Sequence, residues 1–470
     1  MNQQTFLFHD YETFGIHPGR DRPCQFAAIR TDLELNPIGE PIELFCQPAN
    51  DYIPQPQACL VTGITPQQAL QKGMIESEFI DKINQEFSQP GTCGVGYNSI
   101  RFDDEVTRYT LFRNFLDPYE REWKNGNSRW DLIDMVRACY ALRPDGIEWP
   151  TDANGIVSFR LELLTAANGL SHANAHDAVS DVYATIAMAK LIKDKQPKLF
   201  SYLLNMRNKK MVAEKFDLLN NKPLVHISGM FGATQGCASW ILPIAWHPVN
   251  KNAMIVVDLN QDASVLLALN AEQINQRLYT ARANLAADEL PIPVKLVHTN
   301  KCPVLAPAST LTPERAEQLG LNRSQCRQSL DLLVNNKLLI QEKLNQVFSL
   351  ESEFAEDDNP DTSLYRGFVG NADKNLMQVL RDSDPNLISK ERFQFADPRL
   401  NRLLLRFKAR NYPECLSEDE LQQWQAHRQI VLSEQMSQIL PNLEDLLIEH
   451  QNDPNKTQIL KRLYDYIQLL

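Results

Sequence analysis

Long apolar runs are missing from this 470-residue chain. No stretch approaches the ~18 consecutive apolar residues that a membrane-spanning helix needs. The opening residues, MNQQTFLFHDYE, carry neither the basic start nor the apolar stretch of a secretory signal, so a cytoplasmic protein is expected. Paired cysteines are also missing. Nine occur singly, at 24, 46, 59, 93, 139, 237, 302, 326 and 415, with no C-x-x-C among them. That spacing suggests neither a zinc site nor a redox dithiol and predicts free thiols. An excess of positive charge is absent too: 47 Lys+Arg against 59 Asp+Glu leave −12. Taken as a total, that balance argues against a nucleic-acid partner. Internal repeats and low-complexity tracts do not occur.

What is present is an ordinary globular composition, 43% hydrophobic and 23% charged. The length predicts about three domains. Charge divides them: residues 1–196 carry −10, residues 197–349 carry +5 and residues 350–470 carry −7. A basic middle inside an acidic chain removes the force of the total. Residues 195–198 (KQPK) follow a long helical pattern, and the acidic, Pro-broken stretch 351–361 reads as a linker. The expected domains are therefore 1–196, 197–349 and 354–470.

In the first, short apolar runs at 5–8, 26–29, 42–46 and 92–97 read as strands. Helical periodicity follows at 104–115, 130–142, 161–168 and 178–192. Together these describe an α/β layered domain. The middle segment has strand-like pieces at 224–228, 239–248, 253–259 and 294–299, with helical excursions near 271–285 and 313–346, which suits a small β-barrel. The last segment is helical throughout, including 399–410 and 417–440.

Acidic residues cluster by motif. Asp10 and Glu12 close the first strand-like run, and strand alternation projects them to one side. Two adjacent carboxylates repel each other unless a cation holds them. The Asp-x-Glu pattern also occurs at Asp32/Glu34 and Asp103/Glu105, so the pair alone is weak evidence. Asp103 and Asp104 follow the fourth strand and open a helix, where the helix dipole favours either one. His176 and Asp181 lie five apart at the start of a helix, about 7.5 Å of rise. His172 with Asp177 has the same spacing. Hard carboxylates suit Mg²⁺ or Mn²⁺ rather than zinc. Two such ions can support phosphodiester hydrolysis, with a histidine of pKa about 6.5 taking a proton.

Asp10-x-Glu12, Asn98-x-x-x-Phe102-Asp103 and His176-x₄-Asp181, in that order, resemble the DEDDh family of 3′→5′ exonucleases. The segments 128–144, 221–232, 242–248 and 294–305 resemble the bacterial single-strand DNA members of that family, over essentially the whole chain. The resemblance implies a ribonuclease H-like exonuclease domain, an SH3-like domain and a C-terminal helical domain arranged as a C-shaped clamp. It implies a processive 3′→5′ exodeoxyribonuclease that releases nucleoside 5′-monophosphates from single-stranded DNA in repair and recombination. It also implies two Mg²⁺ ions, replaceable by Mn²⁺, on Asp10, Glu12, Asp103 and Asp181, with His176 as general base. Choosing Asp103 over Asp104, and His176 over His172, rests on that pattern. Two other readings remain at this stage: a DEDDh enzyme acting on RNA or primer ends, and a non-catalytic single-strand-binding scaffold.

Unspecific single-strand binding needs cations for phosphates and aromatic faces for bases. The stretch 117–130 interleaves both, with Tyr119, Trp123 and Trp130 among basic residues. Trp130, just before a helix, is expected to be a core anchor. The resemblance adds Arg108, Arg137 and Arg160 as substrate-phosphate ligands and includes Glu12 at the substrate. It implies a further partner, the single-strand-binding protein, whose C-terminal tail would meet Arg143, Tyr202 and Lys222. Arg399, Arg402, Arg406 and Arg410 share one helix face, and in an acidic segment they suggest a phosphate-facing surface. A monomer is expected.

Overall fold

The computed structural model describes residues 4–171, 177–286, 289–350 and 359–470. The chain forms two compact units. One gathers Met1–Ser128, His172–Ile186 and Glu356–Leu470; the other holds Arg129–Ser171 and Ala187–Ala355. Among the described residues, no helix is long and apolar enough to cross a membrane. All nine cysteines are free thiols, and eight are buried.

The first unit is built on strands β1 (Thr5–Thr13), β2 (Pro23–Thr31), β3 (Ile42–Phe45) and β4 (Thr92–Gly96), in the spatial order β3-β2-β1-β4. β1 runs antiparallel to β2 and parallel to β4. Its odd-numbered apolar residues, Leu7 and Tyr11, pack with Phe26 and Ala28 of β2 against Phe79, Ile80, Ile83 and Phe87. Those last four lie on the helix Glu76–Ser88; Val106 and Leu111 on the helix Asp103–Arg113 join the same cluster. Alternation then sends Asp10 and Glu12 to the other side of the strand.

The C-terminal helices complete this unit. Phe112 and Phe115 are buried among Leu364, Met377, Phe393, Leu403 and Phe407. Phe14, Cys24, Tyr52 and Ile53 are covered by Leu432, Leu443, Leu463 and Ile467. The long helix Glu418–Glu449 starts at a Ser417/Glu420 capping box and continues through Pro441, past the expected end near 440.

Two sequence-based expectations change here. Residues 351–358 of the proposed linker lie outside the described residues, but 359–361 are not linker. Asn359 caps the short helix Pro360–Arg366, and Asp361 is 3% exposed. The arginine stripe is not a free cationic face either. On the helix Pro398–Asn411, Arg410 donates to Asp51 at 2.7 Å and to Asp361 at 2.8 Å. Arg406 reaches Asp361 at 2.8 Å and Asn359 at 2.6 Å. Arg399 bonds Asp397 and the carbonyls of Ser363, Leu364 and Gly367. The neutralising carboxylates are about 50 and 360 positions away in sequence, so local charge counting misses them. Arg402 is the exposed member of the four.

Buried ion pairs of this kind make the unit acid-sensitive. Burial pushes the Glu76 carboxyl upward, but the Arg113 guanidinium at 2.6 Å and Asn114 overcome it and hold the group at about 2. Asp51 and Asp361 are likewise held below the usual range by Arg410 against the effect of burial. The unfolded chain then binds more protons than the folded one as the pH falls below the ordinary carboxyl pKa. The stability these pairs contribute is full above about pH 5 and falls as pH drops through the depressed folded values. Urea unfolding is expected to show a midpoint that declines steadily as the pH falls from about 5 toward 2.

β5 (Ser128–Asp131) carries the chain from the first unit into the second. There β6 (Leu224–Ile227), β7 (Ala238–Trp246), β8 (Ala253–Asp258), β9 (Val294–His298) and β10 (Val304–Pro307) form an antiparallel sheet in the order β10-β6-β7-β8-β9. β10 follows the last strand expected from sequence. The expected helix 313–346 is three helices, Pro313–Gln318, Arg323–Asn335 and Lys337–Ser349. Gly320, at φ +71°, lies in the first break. Trp130 is buried edge-on to Phe200, as expected of a core anchor.

Candidate metal centre

β1 outruns its neighbour β4. The last paired residues are Phe8 and Val95, so Asp10 and Glu12 stand past the end of β4 on backbone paired with β2. Beyond β4 the chain turns at Asn98, whose left-handed φ of 62° and ψ of 21° redirect it into the helix Asp103–Arg113. Asparagine tolerates that conformation better than most residues. The turn brings Asp103 to β1, where its Oδ1 accepts the Tyr11 backbone N–H at 3.1 Å. The two adjacent acids are placed differently. Asp104 is directed to the Arg121 guanidinium at 2.7 Å, both side chains 1% exposed, while Asp103 sits against the β1 carboxylates.

Asp181 arrives one turn into the helix Ala178–Lys195. The Asp177 carboxylate accepts the Ser180 N–H at 3.2 Å, as a helix-capping side chain does. Oxygen atoms of Asp10, Glu12 and Asp181 lie within 4.8 Å of one another. His176 and His172 lie outside the described residues.

Electrostatics show what this cluster lacks. Burial and the neighbouring Asp103, Glu12 and Asp181 push the Asp10 carboxyl well above the carboxylate range. Burial, Asp181, Asp103 and Asp177 push Glu12 up to about 8. No cationic side chain is among the causes of either shift. Convergent hard oxygens that repel one another in a half-buried pocket fit a divalent cation with oxygen preference. Cation binding must displace the protons these groups hold. Apparent affinity for Mn²⁺ is therefore expected to rise between pH 6 and about 8, with proton release, and to level off above that. Calorimetric titration in buffers of different ionisation enthalpy measures the protons released; an affinity independent of pH in that range would contradict the arrangement.

Comparison with known proteins places this centre. Residues 7–189 match the Exonuclease family, residues 207–350 the Exonuclease I SH3-like domain and residues 358–470 the Exonuclease I C-terminal domain. Exodeoxyribonuclease I of Escherichia coli (strain K12) is 51% identical over 467 residues, covering 99% of this chain and 98% of its own. The chain belongs to the exodeoxyribonuclease I family. Exodeoxyribonuclease I of Haemophilus influenzae is 50% identical over 468 residues, 99% of each chain. Among solved structures, E. coli Exonuclease I in complex with a dA16 oligonucleotide matches at TM-score 0.96 and 51% identity over 99% of both chains. The zinc ion bound form of the E. coli ExoI–ssDNA complex matches at TM-score 0.95 and 51% identity over 99% of both chains. The exonuclease, SH3-like and helical parts expected from sequence are thus the parts of an exodeoxyribonuclease I.

The residues expected to bind substrate are placed variously. Arg160 is exposed at the start of the helix Leu161–Ala167, with its Nε 2.6 Å from Glu162. Arg137 donates to Asp134 at 2.7 Å and lies flat on Gly229, where a Cβ would come within 3.0 Å of its guanidinium. Trp123 is 62% exposed. Arg108 is buried, and its donors are occupied by Glu122 at 2.7 and 2.8 Å, Glu105 at 2.8 Å and the Tyr365 hydroxyl at 2.9 Å. Its guanidinium lies 5.3 Å from the centre of the Tyr119 ring. Of the tail-binding candidates, Tyr202 donates to the Leu305 carbonyl at 2.7 Å. Arg143 reaches the Thr310 carbonyl at 3.5 Å, and Lys222 pairs with Asp217 at 3.0 Å while remaining exposed. Sequence reasoning missed Tyr365, which lies some 257 positions from Arg108 in a segment with no motif.

Proposed function

We propose that this chain is a processive 3′→5′ exodeoxyribonuclease that removes nucleoside 5′-monophosphates from single-stranded DNA, in the cytoplasm, during repair and recombination. The observation that carries the reading is the convergence of Asp10, Glu12, Asp103 and Asp181 at the overrunning end of β1. Family membership adds the substrate class. These four carboxylates would hold two Mg²⁺ ions, with Mn²⁺ able to substitute. When bound, such ions activate a water and stabilise the leaving 3′-oxygen in phosphodiester hydrolysis.

The chain's own residues do the rest. Half-buried at the end of β1, with Asp103 held by the Tyr11 N–H, the carboxylates are placed before any ligand arrives, which limits the reorganisation the reaction needs. His176 is the proposed general base, taking the proton of the attacking water. Arg160, Arg108, Arg137, Tyr119 and Trp123 are the proposed contacts to phosphates and bases of the strand, with Glu12 at the substrate. The exonuclease domain is assigned to 1–196, the SH3-like domain to 197–349 and the helical domain to 354–470. Arg143, Tyr202 and Lys222 are proposed to receive the tail of the single-strand-binding protein, and the chain to act as a monomer.

Digestion of a 5′-labelled single strand with Mg²⁺ tests the core of this reading. The expected result is a ladder shortening from the 3′ end, abolished by chelator, with mononucleotide as product. Internal fragments, or a ladder that survives chelation, would reject it.

A further inference from the structure

Two adjacent residues of the short 3₁₀ turn Glu120–Glu122 each hold the helix Asp103–Arg113 by a charged pair. Arg121 donates to Asp104 at 2.7 Å, and Glu122 accepts from Arg108 at 2.7 and 2.8 Å. Asp104 and Arg108 lie four apart, on one face of the helix. The two pairs run in opposite senses, so a helix slipped by one turn would set Arg108 against Arg121. The Asp104–Arg121 pair is the more deeply buried, with both side chains 1% exposed. Its guanidinium lies 4.4 Å from the centre of the Phe87 ring. Gly94 of β4 leaves the room: a Cβ there would come within 2.9 Å of that ring and 3.8 Å of Arg121 Nη1.

A buried ion pair is no guarantee of stability, because apolar residues of similar volume often serve as well or better. What this one supplies is direction. Asp103 precedes Asp104 in the same first turn, about 100° around the helix. Asp103 faces Asp10 and Glu12, both of which it repels, and the Tyr11 N–H holds it at 3.1 Å. Rotating that turn by about 20° would carry a carboxylate about 5 Å from the helix axis through about 1.7 Å. Metal–ligand distances tolerate only about 0.2 Å. We propose that the Asp104–Arg121 pair locks the rotation of the helix's first turn and so sets the Asp103 carboxylate where a divalent cation needs it. Arg121 is then a positioning residue, acting through Asp104 on its neighbour. The inference rests on the metal-centre reading and extends it to a side chain outside every motif.

Mn²⁺ affinity, measured by calorimetry on the strand-free protein, tests it. Arg121→Met is expected to weaken binding by at least about tenfold, the usual scale for a residue that orients a metal ligand. It should also lower the melting temperature, since Asp104 loses its buried counter-charge. Asp104→Val combined with Arg121→Met removes both charges, and is expected to regain the melting temperature but not the Mn²⁺ affinity. Arg121→Lys, which keeps the cation but not the planar fork, falls between Arg121→Met and wild type. Affinity for a labelled oligo-dT in chelator stays at the wild-type value in the double variant. Wild-type Mn²⁺ affinity in Arg121→Met or the double variant, whichever is folded by circular dichroism, would overturn the lock. So would loss of oligo-dT affinity with Mn²⁺ binding intact, which would tie the pair to the neighbouring Tyr119 and Trp123 instead. Failure of the wild-type protein to bind Mn²⁺ would reject the metal-centre reading itself, a separate outcome.

Discussion

Asp10→Asn is expected to reduce Mg²⁺-dependent nucleotide release by at least about a thousandfold while leaving the cation-free protein no less stable. The two halves of that outcome come from one cause. A carboxylate that helps hold a catalytic cation supports several kcal/mol of transition-state stabilisation, and each ~1.4 kcal/mol is tenfold in rate. Yet Asp10 is buried beside Asp103, Glu12 and Asp181, all of which raise its pKa. Without a cation, its charge is a burden on the fold. The isosteric amide removes the charge and keeps the shape. Initial rates on a single strand, with thermal unfolding in chelator, separate the two effects. A variant that loses activity and also melts well below wild type would mean that Asp10 has a structural role the geometry does not predict.

The second large effect concerns Asp361. Its carboxylate accepts from Arg406 and Arg410 at 2.8 Å and lies 3.5 Å from Arg22, all in the interior of the first unit. Arg22 already has Nε and Nη1 buried without a hydrogen-bond partner. Asp361→Ala would leave three guanidiniums crowded around an empty acceptor position. Breaking a buried pair from one side typically costs about 3–5 kcal/mol, because the remaining charge is desolvated and unpaired. Urea unfolding should show a loss of that order, concentrated in the transition that reports the C-terminal helices. Arg402→Ala, on the same helix but exposed, is expected to change stability by less than about 0.5 kcal/mol. Equal losses at the two positions would contradict the assignment of Asp361 as the buried hub.

Local features of the chain were readable in its sequence because local physics produces them. The run FLF followed by Asp-Tyr-Glu contains both the strand and the side to which its acids point. The strands of the SH3-like part are marked by Gly and Pro, and the arginine helix by its leucines. What was not readable depends on partners distant in the sequence. Asp103 and Asp104 are equivalent as letters; the left-handed turn at Asn98 and the Arg121 guanidinium distinguish them. The arginine stripe suggested a phosphate surface because Asp51 and Asp361, which neutralise it, lie in other segments. Arg108 likewise meets Glu122 and Tyr365 as well as the nearby Glu105, partners that its own segment does not reveal. Charge patterning along a helix indicates where cations are, but not what answers them.

The first unit joins the beginning of the chain to its end. Phe14, Tyr52 and Ile53 are covered by Leu432, Leu443 and Leu463, made several hundred residues later. The Ile53 N–H is satisfied by Gln435, and Gln57 by Asn442. On the ribosome, the strand bearing Asp10 and Glu12 therefore waits through more than 400 further residues of synthesis with apolar flank uncovered and polar groups unmet. Sequence separations of this size slow folding and lengthen exposure to aggregation. The nascent chain should depend on holding factors until its last helices emerge. A ribosome stalled before residue 430 should carry a catalytic half that proteases still cut readily.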